Sequence, residues 1–354
     1  MLTWTVMNQL EPSGIIAAVS TNPSFVKSQL RRATESFETN QTLIVKRFDE
    51  NEENDSPISL LSIDFRQIVA DLKFPYSRGE FESAPDFILV GSANGIVCVA
   101  VAASETHPEH YWLFSPLARR RTNTYLWNPA TRQSKVIPPY SFSFDITREA
   151  LGFGYDPIDG DFKVVRVVAN PFSAEVYSAN RNAWRKVPNP IDFPWNDDFH
   201  VCLNGLLCCT GMYGMMAFDL NNEVLNCAIK LPVFSYEARI IECNKAIAVA
   251  IAMENGLDAK INMWTLDDDA CLRAGGVVAS WTLMLSVDLD LIEHPVYGYF
   301  GNGELLLIID DDAWILYNAN KKEAIIVPVS VDVCQIYKYT ESLVSIAGFK
   351  QVNW

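Results

Sequence analysis

The stretch ALGFGYDPIDGDFKVVRVV (150–168) sets one apolar run against another across Asp159-Gly160, a dipeptide that tolerates the positive φ a tight hairpin turn needs. Outward from it the same arrangement recurs. DFILVGSANGIVCVAVA (86–102) turns at Asn94-Gly95, FHVCLNGLLCCTG (199–211) at Asn204-Gly205, and ARIIECNKAIAVAIAM (238–253) at Asn244-Lys245. VYGYFGNGELLLIID (296–310) turns at Asn302-Gly303, and CQIYKYTESLVSIAG (334–348) at Thr340-Glu341. Six hairpins at intervals of roughly fifty residues match the period of propeller blades.

Five of the hairpins are followed by a second unit, in which a strand ending in or near an aromatic residue enters a polar turn. These are TYLWNPATRQSKVIP (124–138), AEVYSANRNAWRKVP (174–188), MAFDLNNEVLNCAIKLP (216–232), INMWTLDDDACLRAGGVVASWTLML (261–285) and AWILYNANKKEAIIVP (313–328). A hairpin plus its follower supplies four strands, which is one blade. The fourth follower is longer than the others, and insertions in a repeat map to loops on one face. The sixth hairpin has no follower, while TLIVKRF (42–48) and ISLLSIDF (58–65) are unassigned near the start. If the sixth hairpin contributes two strands and these runs two more, the ring closes without a bare edge. The expected fold is all-β: a six-bladed, kelch-like β-propeller over residues 41–350, closed by N-terminal strands. Residues 1–40 stand apart, with a short helix over SFVKSQLRRATESF (24–37) and Ser24 as its N-cap.

Composition narrows the function classes. With a net charge of −15 in 354 residues and a pI near 4.7, the chain lacks the basic face of a general nucleic-acid binder. Its eight cysteines are scattered through apolar runs, as free core thiols in a reducing compartment would be. The first residues lack a secretory pattern, and no apolar run reaches the roughly 18 residues of a membrane span. A cytoplasmic or nuclear protein is expected.

Few residues offer chemistry. His200, Cys202 and Cys209 would share one face of the hairpin turning at Asn204-Gly205, as a zinc site could, but no fourth ligand is visible, a buried blade face with Cys as a small hydrophobe is the expected reading, and no cofactor is assigned. The acidic runs Asp267–Asp269, Asp310–Asp312 and Glu50–Asp55 lie in expected turns, where solvated charge is ordinary. No nucleophile elbow, phosphate loop, dinucleotide fingerprint or His-Glu zinc helix occurs, so a non-enzyme is expected. The competing reading is a propeller hydrolase or sugar-binding protein using carboxylates in the channel. As partner-binding candidates, Arg119, Arg120 and Arg121 form a loop cluster able to grip an acidic group, and Phe193 and Trp195 flank Pro194 between two blades as aromatic anchors.

GSANGIVCVA, LWNPATRQSKVIPP, LGFGYDPIDGDFKVVRVV and EVYSANRNAWRKV follow one another between residues 91 and 187. In that order and spacing they resemble the F-box-associated domain of plant F-box proteins, including the F-box/kelch and S-locus F-box groups. The motifs fall at Leu126–Thr131, Gly152–Asp156 and Asp161–Arg166. Within them, Trp127, Tyr155, Phe162 and Trp184 read as packing residues, and Gly152, Gly154 and Asn128-Pro129 as turn formers. The resemblance implies a target-binding domain of an SCF-type ubiquitin ligase receptor, whose N-terminal F-box docks on the Skp adaptor of a cullin. Here Asn22–Leu30, with Pro23, Phe25, Val26 and Leu30, resembles only the terminal segment of an F-box. The expectation is a protein-binding module with its F-box largely missing, which does not dock the adaptor itself.

Overall fold

The computed structural model describes residues 22–36, 41–47, 58–64, 66–74, 87–102, 121–141, 149–169, 172–188, 198–211, 214–235, 238–255, 258–274, 278–289, 296–301, 303–309, 313–327 and 333–352. A helix over Pro23–Ser36 precedes β1 (Thr42–Arg47), β2 (Ile58–Ser62) and β3 (Gln67–Leu72). Blade 1 holds β4 (Phe87–Ala93), β5 (Ile96–Ala102), β6 (Arg121–Asn128) and β7 (Gln133–Val136). Blade 2 holds β8 (Glu149–Asp156), β9 (Asp161–Val168), β10 (Ser173–Ser178) and β11 (Ala183–Lys186). Blade 3 holds β12 (Val201–Leu203), β13 (Leu206–Gly211), β14 (Gly214–Asp219) and β15 (Val224–Ile229). Blade 4 holds β16 (Arg239–Cys243), β17 (Ala246–Asn255), β18 (Asp258–Leu266) and β19 (Trp281–Leu289), with a short helix at Ala270–Ala274. Blade 5 holds β20 (Gly298–Tyr299), β21 (Glu304–Ile309), β22 (Ala313–Asn318) and β23 (Glu323–Ile326). The chain ends through β24 (Val333–Lys338) and β25 (Lys350–Gln351).

The sheets form a six-bladed ring. The innermost strands touch in sequence, β24 on β4, β4 on β8, β8 on β12, β12 on β16 and β16 on β20. Six apolar clusters fill the spaces between consecutive blades, including one between blade 5 and the closing blade and one between the closing blade and blade 1. Alternate residues of a strand serve opposite neighbours. On β5, Val97, Val99 and Val101 pack toward the closing blade, and Ile96, Cys98 and Ala100 toward blade 2. Burial on both faces is why these strands read as continuous apolar runs.

The closing blade corrects the sequence expectation. Its order is β24-β1-β2-β3, one strand from the C-terminal region and three from the N-terminal region, not two and two. β24 pairs with β1 from Leu43↔Lys338 to Lys46↔Gln335. The third N-terminal strand, β3, alternates exposed Gln67, Val69 and Asp71 with more buried Ile68, Ala70 and Leu72, as an outermost strand should. The supposed sixth hairpin does not form at Thr340-Glu341. Beyond Lys338 the chain leaves the sheet and crosses blade 1 as a strap, placing Val344, Ile346 and Phe349 against the apolar cluster between blades 1 and 2. Their burial explains why the segment resembles a strand. The strap ends in β25, which pairs with β7 through Lys350↔Ser134 and Gln351↔Gln133 and covers the outer edge of blade 1.

Other local expectations are refined. Asn94-Gly95, Asn204-Gly205 and Asn244-Lys245 hold positive φ at both positions, as two-residue hairpins require. At Asp159-Gly160 the turn spans residues 157–160, with positive φ at Gly160 alone. The N-cap of the first helix is Asn22, not Ser24: its Oδ1 accepts from the backbone N–H of Ser24 (3.0 Å) and Phe25 (3.3 Å). Pro23 then sits at the first helical position, where its missing N–H costs nothing. Gly152 and Gly154 lie inside β8 and form no turn. A Cβ at Gly152 would stand 2.7 Å from Phe199 Cβ, and one at Gly154 2.2 Å from Cys202 Sγ, so the pair lets blade 3 approach blade 2.

Candidate partner-binding face

Because the first strand of each of blades 1–5 is innermost and each blade is an antiparallel meander, the connections sort onto two faces. One face carries the turns between first and second and between third and fourth strands. The other carries the links between second and third strands and from each blade to the next.

The turn face is locked by side chains. Asn128 is fully buried. Its Oδ1 accepts from Ala130 and Thr131 N–H, and its Nδ2 donates to the strap carbonyls of Ser342 (3.0 Å) and Val344 (2.7 Å). Ser342 Oγ donates to Asn94 O at 2.6 Å, and Lys135 Nζ to Ala347 O at 2.9 Å. The N-terminal helix rests on the same strap, since Gln29 Nε2 donates to Glu341 O and its Oε1 accepts from Leu343 N–H. Between blades 2 and 3, buried Lys163 contacts Asp156 (2.9 Å), Leu220 O (2.6 Å) and Glu223 (3.4 Å), and Arg185 adds a further ion pair with Glu223. Burial alone would push the Asp156 carboxyl up, but hydrogen bonds from Lys163 and from the N–H groups of Ile158 and Asp159 hold it below its ordinary value. Burial would likewise lower Lys163, yet Asp156, Glu223 and Asp159 raise it. The long insertion in blade 4 lies on this face too, where Arg273 reaches Asn204 O at 2.7 Å and Asp219 at 3.4 Å in blade 3.

The acidic run at Asp267–Asp269 is absorbed in this scaffolding. Asp267 is held below its ordinary carboxyl value by hydroxyl hydrogen bonds from Ser280 and Thr282, and Asp268 Oδ1 accepts from Ala270 N–H. Asp310–Asp312 and Glu50–Asp55 lie outside the described residues. The register Cys202↔Leu207 is as the sequence predicts. Cys209 is buried in the cluster between blades 2 and 3, and the Cys202 sulfur sits against Gly154. Burial pushes the Cys202 thiol up to about 12, Cys243 to about 11, and Cys208 and Cys271 upward as well, so these thiols stay protonated. Among the described residues no three His, Cys, Asp or Glu side chains are grouped to hold a metal ion. No helix among them is long and apolar enough to cross a membrane.

The loop face carries the long links, over residues 73–86, 103–120, 137–148 and 187–200. The sequence candidates belong to it. Arg119 and Arg120 precede β6, and Phe193 and Trp195 lie between blades 2 and 3; all four are outside the described residues. Arg121 opens β6 opposite Ala102. The described strands that flank these two links have their ends on this face. Of the helical candidates, Phe25 is exposed, and Val26 and Leu30 are half-buried.

Two features were missed in the sequence. Between blades 1 and 2, near the loop face, buried Arg166 bridges Glu149 (2.7 Å) and Glu175 (2.9 Å) and stacks on Tyr140 at 3.9 Å. The alternation of Glu149, Arg166 and Glu175 within their strands is the signal that would have found it. The second is the central channel, a cavity of about 130 Å³ whose lining includes Ser92, His200, Arg239, Glu242, Tyr297 and Lys338. Glu242 is ion-paired with Lys338 at 3.2 Å. A pair of carboxylates, as glycoside hydrolysis uses, is absent from this lining among the described residues.

The comparisons with known proteins follow this architecture. Residues 66–331 match the F-box associated beta propeller domain. F-box protein At4g22390 of Arabidopsis thaliana is 29% identical over 189 residues, covering 49% of this chain and 39% of the relative. F-box protein CPR1 of the same plant is 22% identical over 276 residues, covering 71% and 58%, and F-box protein At2g21930 is 28% identical over 166 residues, covering 40% and 39%. The chain thus spans between 39% and 58% of the length of these curated relatives. With the family match extending over well more than half of its residues, the chain belongs to the F-box-associated β-propeller family.

Proposed function

We propose that this propeller is a protein-recognition module, the target-binding part of an SCF-type ubiquitin ligase receptor, and that it captures its target on the loop face. The observation carrying this reading is the asymmetry of the two faces. Short capped turns, the Lys163 ion-pair network, the strap and the N-terminal helix occupy one face, while the long links of the sequence, among them those that carry Arg119, Arg120, Arg121, Phe193 and Trp195, run between strand ends of the other. Loops carried by a rigid scaffold are where binding residues concentrate. Because β1 starts on the turn face, the helix that resembles the end of an F-box is anchored there through Gln29. Whatever is attached upstream is held away from the target side, as a receptor bridging ligase and target needs. The work of such a receptor lies in the cytoplasm or nucleus.

The test is affinity capture from plant extract with the full chain and two variants. One carries Arg119→Glu, Arg120→Glu and Arg121→Glu together with Phe193→Ala and Trp195→Ala; the other carries Ile158→Glu on the turn face, where Ile158 is 71% exposed. Proteins retained by wild type and Ile158→Glu but lost with the loop-face variant support the proposal. Equal retention by all three, or loss with Ile158→Glu alone, overturns it.

A further inference from the structure

Arg239 occupies an unusual position for a cation in a chain of net charge −15. It opens β16, an innermost strand, and so stands at the loop-face end of the central channel. It is half-buried and lines the cavity, with its guanidinium carbon 4.4 Å from the centre of the Tyr297 ring. Stacking of this kind fixes the plane of the fork and leaves its N–H edges free. Among the described residues the guanidinium has neither a carboxylate within ion-pair distance nor a hydrogen-bond acceptor.

The neighbouring charges do not satisfy it. Glu242 is the carboxylate of the described lining and is already paired with Lys338. These two lie three residues further along β16 and β24, toward the turn face. At the level of Arg239 on β24 stands Gln335, whose Oε1 accepts from Leu89 N–H at 2.6 Å. With its oxygen committed, the Gln335 amide presents N–H donors, and it too lines the cavity. The mouth is therefore donor-rich and stacked in place, and among the described residues no acceptor is bonded to Arg239. Its volume of about 130 Å³ is well above what a single water molecule needs and gives room for the end of a side chain.

We propose that the channel mouth is a carboxylate-recognition site, taking a glutamate or aspartate side chain of the protein target through Arg239 with Gln335 as the second donor. The proposal rests on the reading of the loop face as the target-binding side. A guanidinium held flat by an aromatic ring suits the two oxygens of a carboxylate, and withdrawing that pair from bulk water strengthens the contact. The site would contribute selectivity for an acidic residue at one position of the bound segment.

The test is titration calorimetry of the full chain with the blocked tripeptides Ac-Ala-Glu-Ala-amide and Ac-Ala-Gln-Ala-amide, and with inorganic phosphate. The expected result is binding of the Glu peptide about ten-fold tighter than the Gln peptide and no weaker than phosphate. Arg239→Gln should remove that preference. Gln335→Glu, which keeps an acceptor for Leu89 N–H but fills the site with its own carboxylate, should weaken the Glu peptide by about ten-fold as well. Equal binding of the two peptides, no binding of either, or phosphate bound tighter than the Glu peptide would overturn the proposal; this peptide comparison decides even if a variant fails to fold. If the Glu peptide binds selectively while the loop-face variant still captures its target normally, the broader reading fails and the channel site stands. Loss of capture without peptide selectivity has the opposite meaning.

Discussion

The two faces of this propeller are built by different rules. On the turn face nearly every connection is short and has a side chain committed to it. The last residue of the third strand accepts from the following turn in four blades, through Asn128, Ser178, Asp219 and Asn318. Four residues further on, the backbone takes positive φ at Arg132, Asn182, Glu223 and Lys322. Among the described residues no such recurrence is seen on the other face, whose links differ in length from blade to blade. The contrast teaches that the turns of one face follow a repeated capping rule, while the links of the other are of unequal length and are fastened locally, as at Arg166.

That comparison can be broken by mutation, beginning with the largest effect. Deleting residues 333–354 removes the innermost strand of the closing blade together with the strap, and the expected result is loss of the cooperative unfolding transition in circular dichroism; a truncated chain melting like wild type would contradict the closure. Next in size, Lys163→Met should cost about 3–5 kcal/mol in denaturant unfolding, because it leaves buried Asp156 without its cation. The same pair sets a pH window. The depressed Asp156 carboxyl contributes stability above the ordinary carboxylate value near pH 4 and loses it as pH falls through its lowered value. The raised Lys163 contributes stability below about pH 10.4 and loses it as pH rises through its raised value. Asp156→Asn, which retains the turn-capping oxygen, should therefore flatten the acid limb of a stability–pH profile.

Asn128→Ala should cost about 2–3 kcal/mol by freeing two strap carbonyls and two turn N–H groups, with faster hydrogen exchange confined to the strap and blade 1. Glu341 is the opposite case. Burial pushes its carboxyl up, so ionisation is easier in the unfolded chain and opposes folding at neutral pH. Glu341→Gln should stabilise the protein by no more than about 1 kcal/mol at pH 7, a gain that vanishes below about pH 4. Smallest of all, the five loop-face substitutions at Arg119, Arg120, Arg121, Phe193 and Trp195 should move stability by less than about 0.5 kcal/mol while removing target capture. A stability loss comparable to that of Lys163→Met would erase the distinction between the faces.

What the sequence made legible follows the same division. Inner and middle strands are apolar on both sides because each packs against two blades, so Ile96–Val101 and Phe162–Val168 announce themselves. Outermost strands such as β3 and β11 carry solvated residues, and β3 escaped notice behind Gln67 and Asp71. The strap deceived in the other direction, since Val344 and Ile346 pack like strand residues without pairing as one. At the candidate site, Arg119–Arg121 and the Phe193–Trp195 pair were visible as loop clusters within the sequence. Arg239, Gln335 and Tyr297 were not, because three blades far apart in sequence bring them together and none is remarkable alone.

The division of labour between the faces is tested most directly by photo-crosslinking in plant extract, with benzoylphenylalanine placed either at Phe193 on the loop face or at Ile158 on the turn face. A discrete target adduct from position 193 and none from 158 is the predicted result. An adduct from position 158, with position 193 silent, would contradict the account.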